Sequence, residues 1–163
     1  MLILENTFAN SAFMSDEGYQ APSRFLILGL GESGVAMAKW CLRNGAEVRL
    51  ADTREQSSLS ERQNAWLQEL QIAGLKDTCF GPLSDDLLKE IDVIGISPGL
   101  SPVQDPTYSF LVKAEEAEID VWSEIEFFAR AISALDRMAQ AQESSYEAAV
   151  LAITGTNGKT TTT

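Results

Sequence analysis

Histidine is missing from all 163 residues, so no His-based catalytic triad or His–metal site can be built within this chain. Cysteine is scarce. Cys41 and Cys79 are too few for a disulfide framework or a four-thiolate metal site. They read as reduced thiols of a cytosolic protein. Positive charge is short as well: 12 Lys and Arg face 24 Asp and Glu, a formal charge of −12 and a pI of about 4.3. Such a surface repels phosphate backbones and anionic lipid, which argues against nucleic acid or a membrane as the main partner. An anion site would have to be built locally, from helix N-termini and backbone amides. No apolar run approaches the roughly 20 residues of a spanning helix. The start, Met1-Leu2-Ile3-Leu4-Glu5, carries an acid where a signal peptide would be basic. A cytoplasmic protein without membrane insertion is the expectation, and a monomer is assumed.

What is present, 45% hydrophobic and 22% charged residues, fits one soluble domain with part of a second. Residues 1–22 lack clear periodicity and read as an N-terminal extension. From Arg24 onward, short apolar runs alternate with helical periodicity. Phe25 to Leu28 suits a buried parallel strand. Ser33 to Asn44 reads as a helix stopped by Asn44-Gly45, and Glu47 to Ala51 as a strand ending at Asp52. A helix is expected over Leu59 to Ala73, with Trp66, Leu70 and Ala73 on its inner stripe. Then come a short strand at Thr78–Phe80, a short helix at Asp85–Glu90, and a central strand at Ile91–Ile96. A helix over Thr107–Glu118 and a strand over Ile119–Trp122 follow. Ser123-Glu124-Ile125-Glu126 fits a capping box, opening a helix with Ile125, Phe128, Ile132 and Leu135 on one stripe. Gln140 to Glu147 reads as a loop and Ala148 to Ile153 as a buried strand. Strands alternating with helices imply an α/β fold around a parallel sheet.

Two motifs carry chemistry. Gly29-Leu30-Gly31-Glu32-Ser33-Gly34 is a G-x-G-x-x-G between a strand and a helix. Its first Gly makes the tight turn, the second admits a pyrophosphate, and the third packs helix on strand. Asp52, 23 residues after Gly29, stands where an acid can bond a ribose or base edge. The motif does not specify the nucleotide. The second is Gly155-Thr156-Asn157-Gly158-Lys159-Thr160-Thr161, again after an apolar strand. Its amides would cradle ATP phosphates, Lys159 would reach the β/γ-phosphates, and the Thr160 hydroxyl would ligate Mg²⁺. It is shorter than a strict Walker A loop, with Gly155 only three residues before Gly158. Ser97-Pro98-Gly99 closes the strand Ile91–Ile96 and would share a rim with the first loop, or be a plain turn. Trp40, Trp66 and Trp122 read as packing residues, and Glu115-Glu116-Ala117-Glu118 as a solvated helix face. Cys41 has no basic neighbour on its own face and is not expected to be a nucleophile.

The pairing of G-L-G-E-S-G with a later I-T-G-T-N-G-K-T loop resembles the Mur ligases of peptidoglycan synthesis, most of all their D-glutamate-adding branch. Ala46 to Asp52, Ile96-Ser97-Pro98-Gly99 and Trp122-Ser123-Glu124-Ile125-Glu126-Phe127 support the likeness, which spans about residues 24–163. The resemblance implies a Rossmann-like UDP-binding domain over residues 23–123, followed by the start of a P-loop ATP-binding domain over 124–163. It implies ATP-dependent amide formation through an acyl phosphate, with UDP-N-acetylmuramoyl-L-alanine, D-glutamate and ATP as substrates. By the same likeness, Gly31, Glu32, Ser33 and Gly34 would receive the UDP diphosphate. Asp52, Thr53 and Arg54 would meet the uridine, with Ser97 and Gly99 bordering it. Glu32 places a carboxylate where the family is often apolar or small, and it is expected to point outward. Lys159 would stabilise the transferring phosphoryl group. The chain reads as a fragment that keeps the UDP-substrate domain, is expected to bind its substrate weakly or moderately, and to ligate nothing. Three other readings stand beside this one: the L-alanine-adding branch, a nicotinamide-dependent oxidoreductase using the first loop alone, and a non-enzymatic nucleotide-sensing domain.

Overall fold

The structure, a computed structural model, describes residues 24–141 and 149–150. Strands β1 (Arg24–Leu28), β2 (Glu47–Asp52), β3 (Asp77–Phe80), β4 (Val93–Ile96) and β5 (Asp120–Ser123) alternate with helices along the chain. The helices are α1 (Glu32–Arg43), α2 (Glu61–Ile72), α3 (Thr107–Glu116) and α4 (Glu124–Ala141). All strand pairings are parallel, in the order β3-β2-β1-β4-β5. This is the α/β, Rossmann-like arrangement. The expected elements are present within a residue or two, except that Asp85–Leu88 is a single 3-10 turn. The extension, the strand expected over Ala148–Ile153 apart from Ala149 and Val150, and the second glycine loop lie outside the described residues.

The central strand explains why the run Phe25-Leu26-Ile27-Leu28 has no polar break: it is covered on both faces. Phe25 and Ile27 face α1, α2 and the start of α4, in a core with Val35, Cys41, Leu67, Leu70, Trp122 and Phe127. Leu26 and Leu28 face the other side, against Phe110 and Ala114 of α3 and Leu87 of the 3-10 turn. The register carries the alternation across the sheet, with Phe25 opposite Val93 and Leu26 opposite Ile94.

Two expected helix stripes are corrected. In α2 the buried residues are Leu67 and Leu70, while Ala73 is exposed. Trp66 lies at the margin, with the Arg62 guanidinium 4.5 Å over its ring, so it shields the core edge rather than filling the core. The helix begins at Ser60, whose hydroxyl accepts from the Gln63 amide while the Gln63 side chain accepts from the Ser60 amide. In α4 the expected stripe turns outward at its start, where Ile125 is 72% and Phe128 49% exposed, while Ile132 and Leu135 are half-buried. Phe127 is the residue that goes in, 5.4 Å from the Trp122 ring, 5.7 Å from Trp40 and 5.9 Å from Phe25. Gly95 makes that seat possible: a Cβ there would stand 2.6 Å from Ile27 Cδ1 and 3.1 Å from the Phe127 ring. Only half of the capping box at Ser123 forms. The Glu126 amide donates to Ser123 Oγ at 3.3 Å, but its carboxylate turns to Arg130, whose guanidinium stacks 3.9 Å over Trp122.

Candidate functional site

β1 and β4 are neighbours, yet the chain leaves β1 for α1 on one face and β4 for α3 on the other. Divergence of this kind opens a crevice at the carboxyl ends of the strands, and the first glycine loop lies in it. Gly29 turns at φ +97°, and its amide donates to the Ala51 carbonyl at 2.7 Å. Gly34 meets β1 so closely that a Cβ would stand 1.8 Å from the Gly29 carbonyl oxygen. Gly31 is different: nothing but Ser97 Oγ, at 3.5 Å, would approach a Cβ there. The glycine that the motif reserves for an approaching ligand is thus the open one.

The amides of Glu32, Ser33 and Gly34 precede the first intrahelical bond of α1, which runs from Val35 to the Gly31 carbonyl. The N-cap, Gly31, supplies no side-chain cap. A helix start in this condition presents donors and the positive end of a dipole to an anion.

Asp52, at the end of β2, braces the loop. It is 3% exposed. One carboxylate oxygen accepts from the Leu30 amide at 2.7 Å and from Arg54 NH2 at 2.6 Å. The other accepts from the Arg54 amide at 2.9 Å and from its Nε at 2.8 Å. Four donors fill the usual acceptor capacity of a carboxylate. Burial pushes the Asp52 pKa up, but the Arg54 side chain, the Leu30 and Arg54 amides and the Arg54 charge together outweigh it and hold it below the ordinary value. In this arrangement the Asp52 carboxylate positions Leu30 and Arg54. Arg54 reaches back over the loop to the Leu30 carbonyl at 3.3 Å while its side chain stays 44% exposed. Thr53 is half-buried between the two.

Ser97 is buried beneath the loop, its amide donating to Leu28 and its carbonyl accepting from Leu100. It supports the floor of the crevice. Gly99 is exposed, with nothing within 4 Å of a Cβ built on it. Glu32 points outward as expected and pairs with Arg62 of α2. Three participants went unnoticed in the sequence. Arg62 is one. Gln63 is another, its side chain donating to the Leu30 carbonyl at 3.2 Å, and the Ser60-x-x-Gln63 spacing could have flagged it. The third is Glu124, whose carboxylate accepts from Ser33 Oγ at 2.5 Å across 91 residues of sequence. No local pattern announces that contact.

Gly155, Thr156, Asn157, Gly158, Lys159, Thr160 and Thr161 lie outside the described residues. Among the described residues no group of acids and thiols could hold a metal ion, and no helix is long and apolar enough to cross a membrane. Cys41 is fully buried, and burial drives its thiol far above the ordinary range, so it is inert. A hollow of about 480 Å³ opens at the opposite, amino end of the strands. Most of its charges are already matched, Arg24 with Glu47 and Glu90, Arg49 with Asp77. It carries no chemistry comparable to the glycine loop.

Sheet order, crevice and glycine loop define a Rossmann-like α/β domain. Residues 23–123 match the family described as the Mur ligase MurD-like N-terminal domain, and the chain belongs to that family. It is 49% identical over 138 residues to a UDP-N-acetylmuramoylalanine–D-glutamate ligase of Cupriavidus pinatubonensis, covering 85% of this chain and 25% of the relative. An enzyme of the same name from Ralstonia nicotianae is 47% identical, over 85% of this chain and 26% of its own length. One from Paraburkholderia phymatum is 46% identical over 85% and 25%. The chain thus spans about a quarter of the length of these relatives.

Proposed function

We propose that this chain provides the nucleotide-recognition domain of a ligase that adds D-glutamate to UDP-N-acetylmuramoyl-L-alanine in the cytoplasm, during synthesis of peptidoglycan precursors. The observation that carries the reading is the uncapped start of α1 beneath an open Gly31, at the β1/β4 crevice. A diphosphate there would accept from the amides of Glu32, Ser33 and Gly34. Gly31 would let it approach the backbone, and Gly34 would hold α1 against the sheet. Thr53 and Arg54 would border the uridine on one side and Gly99 on the other. Asp52 would act through Leu30 and Arg54, and Ser97 through the packing of the loop floor. The names of the relatives support uridine rather than nicotinamide, and D-glutamate rather than L-alanine addition.

The family's chemistry requires ATP and Mg²⁺, which activate the substrate carboxylate by phosphoryl transfer. The sequence assigns ATP to Gly155–Thr161, with Lys159 on the transferring phosphate and Thr160 as a metal ligand. The proposed domain limits are 1–22 for the extension, 23–123 for the UDP domain and 124–163 for the start of the ATP-binding unit.

Calorimetric titration of the chain with UDP, UDP-N-acetylmuramoyl-L-alanine and NAD⁺ tests the reading. Heat is expected with both uridine ligands. Heat with NAD⁺ and none with the uridine ligands would overturn it.

A further inference from the structure

Ser33 is the second residue of α1, and its hydroxyl points at an anion supplied by the protein itself. Glu124 stands at the start of α4, 2.5 Å from Ser33 Oγ. The contact is not that of two mobile surface side chains. Phe127, three residues on, is seated among Phe25, Trp40 and Trp122 over Gly95, which fixes the first turn of α4 against α1 and the sheet. Two further acids of the rim are paired, Glu32 with Arg62 and Asp52 with Arg54. Among the described residues no ion pair joins Glu124 to a cation. A carboxylate with no ion pair among the described residues is therefore held against the helix start where, in the reading above, the diphosphate binds.

We propose that Glu124 is a resident anion of this site and sets its affinity: the nucleotide's phosphates displace it from Ser33, and its removal tightens diphosphate binding. The proposal rests on the diphosphate reading of α1. The same dipole and amides that favour phosphate favour the carboxylate in its absence. When the diphosphate arrives, two anions cannot share one helix start without repulsion, which a half-buried setting screens poorly. The Ser33–Glu124 bond then opens, and the ligand loses part of its binding free energy in opening it. Because Glu124 begins α4, occupancy of the nucleotide site also releases the polar tether at the start of that helix, while Phe127 keeps it docked.

The test is calorimetric titration of the whole chain with UDP and, separately, with uridine, at low and high salt. Glu124→Gln keeps the shape and a hydrogen-bond acceptor but removes the charge; Glu124→Ala removes both. Both variants are expected to bind UDP roughly tenfold more tightly than the parent at low salt, about 1.4 kcal/mol. The gain should shrink as salt rises and be absent for uridine, which brings no phosphate. If the parent binds UDP and both variants bind it equally or more weakly, the proposal fails while the diphosphate reading stands. An equal gain for uridine also overturns it, because the effect would not be one of charge. If neither parent nor variants bind UDP, the diphosphate reading falls and this proposal with it.

Discussion

Replacing Asp52 by Asn keeps the size of the side chain and exchanges two acceptor sites for two donors. In the fold, Asp52 accepts from Leu30 N, Arg54 N, Arg54 Nε and Arg54 NH2. Either orientation of the amide leaves its NH₂ facing two of those donors. The better choice turns the carbonyl toward Leu30, which is fully buried and has no access to water. The opposing pair then belongs to Arg54, whose side chain is 44% exposed and can recruit solvent, so its share is discounted. One lost charge-assisted bond costs about 1.5–3 kcal/mol and an unsatisfied buried donor about 1–3 kcal/mol. With the Arg54 discount, Asp52→Asn should destabilise the domain by about 2–4 kcal/mol, a large part of a typical margin of about 5–15 kcal/mol. Urea unfolding at pH 7 reads this as a lower midpoint at unchanged slope. Arg54→Ala leaves the Leu30 bond intact but takes two side-chain donors from a buried carboxylate, and should cost about 1–3 kcal/mol. The sign of the pH dependence follows from the depressed pKa of Asp52. Its contribution is fully present above the unfolded carboxylate value of about 3.9 and is lost as pH falls through the lower folded value. The gap between parent and Asp52→Asn should therefore be constant near neutrality and close in acid. A gap below about 0.5 kcal/mol at pH 7 would refute the brace.

Gly34→Ala places a Cβ 1.8 Å from the Gly29 carbonyl oxygen and should cost about 3 kcal/mol or more. Gly99→Ala enters open space and should stay within about 0.5 kcal/mol; thermal unfolding of the two side by side separates a packing glycine from a free one. Ser60→Ala removes the reciprocal cap of α2 and should lower stability by about 1 kcal/mol in urea. Phe127→Ala should cost about 3–5 kcal/mol. Gly95→Ala, which crowds Phe127 and Ile27, should cost about 1–3 kcal/mol alone and measurably less in the Phe127→Ala background, because the two sites share one space.

The sheet was legible because its signal is local. An unbroken apolar strand such as Phe25–Leu28, a helix with a glycine-rich start and a second strand ending in an acid together require a parallel β-α-β unit. The helix faces were less so, since α4 carries two apolar stripes and spacing alone cannot rank them. The deciding residue is Gly95, whose missing side chain makes the hollow for Phe127, and nothing near Phe127 in sequence says so. At the rim, the backbone logic of Gly29, Gly31 and Gly34 could be read from spacing because it is a property of the turn itself. The partners of side chains could not. Spacing places Asp52 at the rim, but that it braces Leu30 and Arg54 is visible only in the fold. The Ser33–Glu124 contact joins helices that pack together but lie 91 residues apart in the chain.

The charge of the rim shows why a glycine loop suits so acidic a chain. The cations at its edge, Arg54 and Arg62, are each held by a carboxylate, Asp52 and Glu32, and so contribute little net positive field. Lysines placed there would meet the same fate in a chain with twice as many acids as bases. Backbone amides cannot be neutralised in that way. They are aimed by the turn, they act within the first turn of the helix, and only an anion that reaches them can use them. Selectivity in such a site comes from shape and proximity rather than from long-range attraction. On the diphosphate reading, that is also why one well-placed carboxylate, Glu124, would matter more to the affinity than the remaining acids of the surface, which solvent and salt screen from the crevice.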